Sequence, residues 1–462
     1  MSATIPFPQT PPLLDPQDPI SSARVFVDLK YSHAGHRLLI HHADEWRAWS
    51  GSHYPITDET TIRAQLWTFL EHCKKPADKG KVEDFKPTTS RVANVLDAMR
   101  AVCNLPASMT PPAWLRASKI PAAEIIACAN GLLHIPTRRL YPHDPAFFCV
   151  NANDFDFDPT AVCADWLTFL DDLWPEDPEA IDTLQDWSGY SLTTDTRQHK
   201  MLMLVGPKRG GKGTIGRVLT ALLGAANVCS PTLSSLGTNF GPWQLVDKQL
   251  AIIADARLSG RQDQHIIAER LLSISGEDLQ TIDRKYKEPW TGRLAVRFMI
   301  LTNELPRIAD ASTALPSRFI ILPLSRSFLG CEDHGLTDRL LAELPGILNW
   351  SLDGWNRLNA RGYFIQPQSG DDLIQELEDL ASPVGTFVRD RCTVLPGAQV
   401  PCSALFEAWK AWCTAQGRDN PGTKQTFGRD LRAAVPGLKV TQPRDPHTGK
   451  QLERHYNGIR LG

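Results

Sequence analysis

The sequence predicts an α/β chain: a parallel sheet interleaved with helices, a mostly helical region before it and a small mixed domain after it. Three observations carry this. Between residues 200 and 325, short apolar runs alternate with helix-length stretches: KMLMLVG, a helical pattern from about 212, KQLAIIADA, another from about 263, RFMILTN and RFIILPL. Runs apolar at every position suit strands buried on both faces, as in βαβ sheets covered by helices. The first run leads into GPKRGGKGT at 206–214, which has the strand, Gly-rich loop, helix order of a phosphate-binding loop. Finally, the charge balance changes along the chain. Residues 151–200 carry twelve acids and two bases, whereas residues 381–462 carry twelve bases and six acids, so the C-terminal part suits a polyanion although the whole chain has a net charge of −3.

Taken in order, residues 1–20 hold six prolines and read as an extended, disordered leader. They have neither a basic start nor a long apolar core, so a signal peptide is not expected. A mixed domain is expected over 21–150. In it, TIRAQLWTFLEHCKK (61–75) puts Ile62, Leu66, Phe69 and Leu70 on one helical face, and SRVANVLDAMRAVCNL (90–105) does the same with Val92, Val95, Leu96, Met99 and Val102. NGLLHIPTRRLYPHDPAFF (130–148) reads as a hairpin with turns. Residues 151–199 form a helical segment whose Trp166, Trp174 and Trp187 are expected in the core. The sheet domain spans 200–365, closed by helices over 340–362, and a polar stretch follows at 366–372. Residues 376–462 form the last domain.

Composition excludes several classes. A chain of 462 residues is long enough for two to four domains with a large core. No run of eighteen apolar residues occurs, so no membrane span is expected. The ten cysteines form no CxxC pair, which argues against a structural zinc site and for reduced thiols in a cytoplasmic compartment.

The chemistry concentrates in four places. In GPKRGGKGT, Gly206, Gly211 and Gly213 let backbone N–H groups converge on phosphate oxygens, and Lys212 supplies a cation for the β/γ-phosphates. The hydroxyl expected after the lysine is replaced by Gly213, which leaves Thr214 to reach Mg²⁺ directly or through water. KQLAIIADAR presents Asp255 at a strand end, where a carboxylate can serve the metal and the attacking water. Ala256 stands where a second acid is usual, so either Asp255 serves both roles or Glu269, Glu277 or Asp278 approaches from elsewhere. RFMILTNELPRI ends a third strand in Asn303, a side-chain amide able to orient water and sense a γ-phosphate. LPSRFIILPL places Arg318 just before a fourth, where it could stabilise charge at a neighbouring subunit's nucleotide, the plain alternative being a salt-bridge arginine.

This ordered series resembles the superfamily 3 helicase module, a P-loop ATPase of AAA+ type. More closely, the chain is similar to the phage/plasmid primase–helicase family that includes poxvirus-type NTPases. GPKRGGKGT, LAIIADARLSGR, LLSISGEDLQTIDRKYKEPWTG, RFMILTNELPR and SRFIILPL carry the likeness. Upstream, NGLLHIPTRRLYPHDPAFF and DFDFDPTAVCADWLTFLDDLW look like that family's pre-ATPase domain. Downstream, SPVGTFVRDRC, ALFEAWKAWC and TFGRDLRAAVPG look like its C-terminal winged helix. The resemblance implies an ATP- and Mg²⁺-dependent ring, a homo-oligomer of hexameric type, that translocates on single-stranded DNA and opens forked DNA. It implies that Lys212 and Thr214 belong to the phosphate loop, that Asp255 is the metal-associated acid, Asn303 the sensor amide and Arg318 the finger supplied in trans. IDRKYKEPW lies where such helicases carry a pore hairpin, and Arg284, Lys285, Tyr286 and Lys287 suit one: cations for the backbone, a ring for stacking.

The family often carries a primase domain. The N-terminal residues here contain no DxD pair or zinc spacing before the pre-ATPase stretch, so priming is not expected and a separate primase or polymerase is a candidate partner. In the last domain, TKQTFGRDLRAAV is expected to be the recognition-type helix, with Lys424, Arg429 and Arg432 on its exposed side and a wing bearing Arg444, Lys450 and Arg454. Two other functions fit parts of this pattern. A nucleotide kinase also uses GKGT, and an origin-binding or loader ATPase needs no unwinding.

Overall fold

The computed structural model describes residues 10–254, 256, 261–285, 287–306, 308, 314–444 and 451–462, and Asp255 and Tyr286 therefore lie outside the described residues. The chain forms two compact units, one running to Val162 and taking in Leu344–Leu348, the other comprising Cys163–Glu343 and Asn349–Gly462. The boundary falls between Val162 and Cys163, about twelve residues beyond the expected limit of the first domain.

In the first unit, α1 (Pro19–Lys30) starts where Asp18 accepts from the Ser21 N–H and Pro19 occupies the first turn. Strands β1 (Leu39–His42) and β2 (Glu45–Ala48) pair antiparallel. Helices α2 (Glu59–Glu71) and α3 (Thr89–Val102) bury the apolar faces expected of them, except that Val102 is only partly buried. Strands β3 (Ile125–Cys128), β4 (Gly131–His134) and β5 (Arg139–Tyr141) make a three-stranded antiparallel sheet. The leader expected to be disordered as far as residue 20 is ordered from residue 10. Leu13 bridges Lys74 and Leu14 is 2% exposed within the helical core, where its burial and the backbone pairing together offset the cost of ordering this stretch.

In the second unit, α4 (Ala164–Leu173) and α5 (Pro178–Ser191) precede the sheet and bury Trp166, Trp174 and Trp187. Then come β6 (Met201–Val205), α6 (Lys212–Leu223), β7 (Val228–Cys229), β8 (Leu250–Ala254), α7 (Arg261–Ser275), the hairpin β9 (Gln280–Arg284) and β10 (Lys287–Gly292), β11 (Arg297–Thr302) and β12 (Phe319–Pro323). The sheet is parallel, in the order β7-β8-β11-β6-β12. All five residues of β6 and all six of β11 are buried, which is why β6 and the 298–301 stretch of β11 read as apolar runs; Arg297 at the start of β11 is buried too, 4.4 Å over the Tyr190 ring. The order places β6 and β11 side by side, with Val205 opposite Thr302, so the loops leaving both open at the same edge.

After the sheet follow α8 (Leu336–Ala342), α9 (Leu344–Arg361) and α10 (Asp371–Ala381). Asp186 on α5 is enclosed by Arg357 and Arg361 of α9, and burial raises its pKa despite both guanidinium groups. The polar stretch at 366–372 is ordered: the Gln366 side chain accepts from Ile321 N at 2.9 Å and donates to Ile321 O at 2.9 Å, satisfying the free edge of β12. The last part is α11 (Pro383–Arg391), β13 (Cys392–Pro401), α12 (Cys402–Ala415), α13 (Lys424–Ala434), β14 (Lys439–Thr441) and β15 (His455–Leu461), with sheet order β13-β15-β14. Its core stacks Trp409 on Trp412 and Phe427, so these tryptophans are packing residues. Among the described residues all ten cysteines are free, and no helix is long and apolar enough to cross a membrane.

Candidate functional site

The loop from β6 to α6 is shaped by close backbone approach. A Cβ on Gly206 would lie 2.3 Å from Leu324 O, so only glycine lets the chain leave β6 beside β12. Gly211 sits at φ +87° as the cap of α6 and has no side chain to bond the first helical amides. Those amides and the helix field therefore face the loop, the usual setting for anion binding. A Cβ on Gly211 would also meet Leu173 of α4 at 2.9 Å.

Lys212 is the centre of the site. Its ammonium donates to Gly206 O and Pro207 O, each at 2.7 Å, and to Asn303 Oδ1 at 3.1 Å. Two positions 91 residues apart are thus joined by one hydrogen bond, because Asn303 follows β11 just as the loop follows β6. Burial depresses the Lys212 pKa, with no carboxylate among the causes.

These groups line a cavity of about 750 Å³, within the range that holds a nucleotide-sized ligand. Gly213 and Thr214 lie on its wall in the first turn of α6. Cations near the mouth are mostly neutralised: Arg209 by Glu332 at 3.4 Å, and Arg339 by Asp333 at 2.7 Å and Asp165 at 3.2 Å. Lys212 and Arg217 instead bond carbonyl, amide and hydroxyl oxygens, which leaves their charge for an incoming anion. Phe169, Phe328 and Leu336 add apolar lining suited to a base.

Arg217 was missed by reading the sequence alone. Its guanidinium donates to the Thr214 hydroxyl at 3.1 Å and to Thr337 Oγ1 at 3.3 Å. Spacing i, i+3 on α6 was the available signal. For Thr214 to serve a metal, Arg217 must release that hydroxyl. Glu332 and Asp333 were also missed, although they occupy the loop after a parallel strand, where ligands of such sheets gather. Among the described residues no group of three His, Cys, Asp or Glu side chains is placed to hold a metal.

Arg318 is not in the cavity. It precedes β12, at the end of the sheet opposite the loop, and donates to Ser275 O at 3.3 Å. Glu277 lies at this end too, accepting from Thr196 and facing His199 at 3.8 Å, and neither it, Asp278 nor Glu269 lines the cavity.

The β9–β10 hairpin pairs Arg284 with Lys287 next to its tip. Arg284 lies 5.4 Å over the Trp243 ring and Lys285 lies 5.9 Å from Phe240. Phe240 and Trp243 are 49% and 42% exposed, an aromatic surface beside the cations that the sequence alone did not point to. On α13, Phe427 and Leu431 face the core while Lys424, Arg429 and Arg432 are exposed. Arg444 bridges Gln451 and Arg454 bonds Gln442, but Lys450 lies outside the described residues.

Family models match three stretches of the chain. Residues 23–175 match the model described as D5 N terminal like, residues 204–318 match a family of unknown function (DUF5906), and residues 381–446 match the model described as Poxvirus D5 protein-like. Matches to D5-type models therefore precede and follow the sheet along the sequence, which supports the likeness to phage primase–helicases. The central match begins in β6 and ends at Arg318, enclosing the whole ordered series. Among solved structures, the apo NrS-1 C-terminal region is similar at 11% identity and a TM-score of 0.52, covering 96% of this chain and all of that one. A second apo form of that region gives 12% identity, a TM-score of 0.50 and the same coverage. At such identity the likeness is one of fold.

Proposed function

We propose that the chain is an ATP-dependent replicative DNA helicase of a phage, plasmid or integrated mobile element, with a superfamily 3 AAA+ core acting in a ring. The observation that carries this reading is the joining of loop, Lys212 and Asn303 in one nucleotide-sized cavity. In this reading the loop amides and Lys212 bind the β/γ-phosphates of ATP. Asn303 orients the attacking water, while Phe169 and Phe328 shelter the base. Thr214 and Asp255 would hold Mg²⁺, which when bound neutralises phosphate charge. Arg318, facing away from its own pocket, completes the pocket of the next subunit in a ring of hexameric type. Arg284, Lys285 and Lys287 contact the backbone of single-stranded DNA in the ring's channel, and the Tyr286 ring stacks on a base. The exposed rings of Phe240 and Trp243 give bases a stacking surface beside them. The basic α13 and the strands after it are read as a winged helix that touches duplex DNA at the fork through Lys424, Arg429 and Arg432.

The test is ATP turnover with and without single-stranded oligonucleotide, together with strand separation on a forked duplex. Stimulated turnover with unwinding is expected. DNA-independent hydrolysis without unwinding would point to a loader, and phosphoryl transfer to a nucleoside monophosphate would point to a kinase.

A further inference from the structure

The sequence assigns no role to residues 21–90, and the unit that contains them offers one on its surface. Two cavities, about 550 and 430 Å³, neighbour one another within this unit and share lining at His36, Arg116 and Pro145; the pair is termed the trench. Trp114 and Tyr141 line the larger part. Trp114 is fixed, its indole donating to Ile120 O at 2.8 Å and its ring lying 5.0 Å from Phe147. Tyr141 sits at the end of β5 with the Arg139 guanidinium 5.0 Å over its ring.

Exposed cations follow the trench: Arg37 in the smaller part, Arg116 where the two meet, and Lys119 just beyond Ser118. Among the described residues lining it, Asp144 is the one carboxylate, and Arg116 neutralises it. Rings fixed in a groove with cations at its rim are the chemistry of single-strand binding: every base has a face to stack, and every linkage a phosphate to neutralise. An acidic peptide would satisfy the cations but leave the rings without a partner. Each cavity alone is large enough for one ligand-sized body, so the neighbouring pair suits consecutive nucleotides.

We propose that this trench is a second single-stranded DNA site, in which bases stack on Tyr141 and Trp114 and phosphates meet Arg37 and, once it is released from Asp144, Arg116. The choice of DNA as ligand rests on the helicase reading. The trench shares no lining residue with the nucleotide cavity.

The test uses the full chain and a fluorescent single-stranded oligonucleotide carrying iodouracil. Ultraviolet crosslinking should yield adducts on Trp114 or Tyr141, mapped by peptide mass spectrometry. Tyr141→Ala should weaken oligonucleotide binding about tenfold. Arg37→Gln with Arg116→Gln should make the log–log salt dependence shallower by about 0.7 for each phosphate the two arginines no longer neutralise, and Arg37→Gln alone, which leaves the Arg116–Asp144 pair in place, should show part of the same change. Adducts confined to residues 280–292 would overturn the trench while leaving translocation standing, and adducts in neither place would remove both. Unchanged affinity and salt slope in the Arg37/Arg116 variant would overturn it as well. Displacement of the oligonucleotide by free thymidine monophosphate at equal affinity would make the trench a nucleotide pocket and end the strand assignment.

Discussion

Arg318→Ala is expected to stop hydrolysis without touching nucleotide binding, and the sheet supplies the reason. In the parallel register, Met201 stands opposite Phe319 and Val205 opposite Pro323. Arg318 is thus level with the start of β6, while the loop begins at its end. Five strand residues at about 3.3 Å each put roughly 16 Å between them, beyond the reach of an arginine side chain. Within one subunit the guanidinium cannot approach the γ-phosphate, so any catalytic role is exercised on a neighbour. Truncation removes one hydrogen bond to Ser275 O, at a cost of about 1 kcal/mol that leaves the fold intact. An arginine supplied in trans contributes at least about 10³-fold to turnover, or about 4 kcal/mol, so kcat should fall by that factor with ATP affinity nearly constant. Steady-state phosphate release and fluorescent-nucleotide titration measure the two quantities. Mixing the variant with Lys212→Ala protein gives a sharper readout. In equal mixtures about one interface in four joins an intact pocket to an intact arginine, so about a quarter of wild-type turnover should return. If Arg318→Ala lowers ATP affinity as much as turnover, or if mixing restores nothing, the trans geometry is wrong.

Three further outcomes are expected. Burial lowers the Lys212 pKa, and phosphate binding needs the protonated form, so ATP affinity should fall as pH rises with an onset below 10.5. Lys212→Arg, which does not deprotonate, should bind more weakly but lose that onset in a titration across pH. Gly211→Ala forces a side chain into a left-handed position at a cost of about 1–2 kcal/mol, and its Cβ presses on Leu173. Nucleotide affinity should fall about tenfold, and wild-type affinity in the same titration would refute the loop argument. Replacing Lys424, Arg429 and Arg432 by alanine should weaken fork binding and flatten its salt dependence by about 0.9 for each duplex phosphate left without its cation, read by anisotropy at several salt concentrations.

Much of the second unit was legible in advance, since buried parallel strands are apolar along most of their length and helices carry their period openly. The runs at 201–205, 250–254, 297–302 and 319–323 all became strands of one sheet. Gly206, Gly211 and Lys212 could be chosen because a phosphate loop is a local motif, its geometry set within nine residues. Arg217 was readable in principle from the same helix but carries no motif of its own. The leader was misjudged at Leu14, since composition reports the cost of ordering proline-rich chain and not the pocket that repays it. By itself the sequence determined element type, the loop and the basic end of the chain, all properties of neighbouring residues. The strand order was decided only by tertiary structure. That order set Asn303 against Lys212 and put Arg318 at the far edge of the sheet, and the packing of the first unit gathered Trp114, Tyr141 and Arg37 around one trench. Residues far apart in sequence meet only through the strands and loops that come to lie side by side, which no local pattern of residues records.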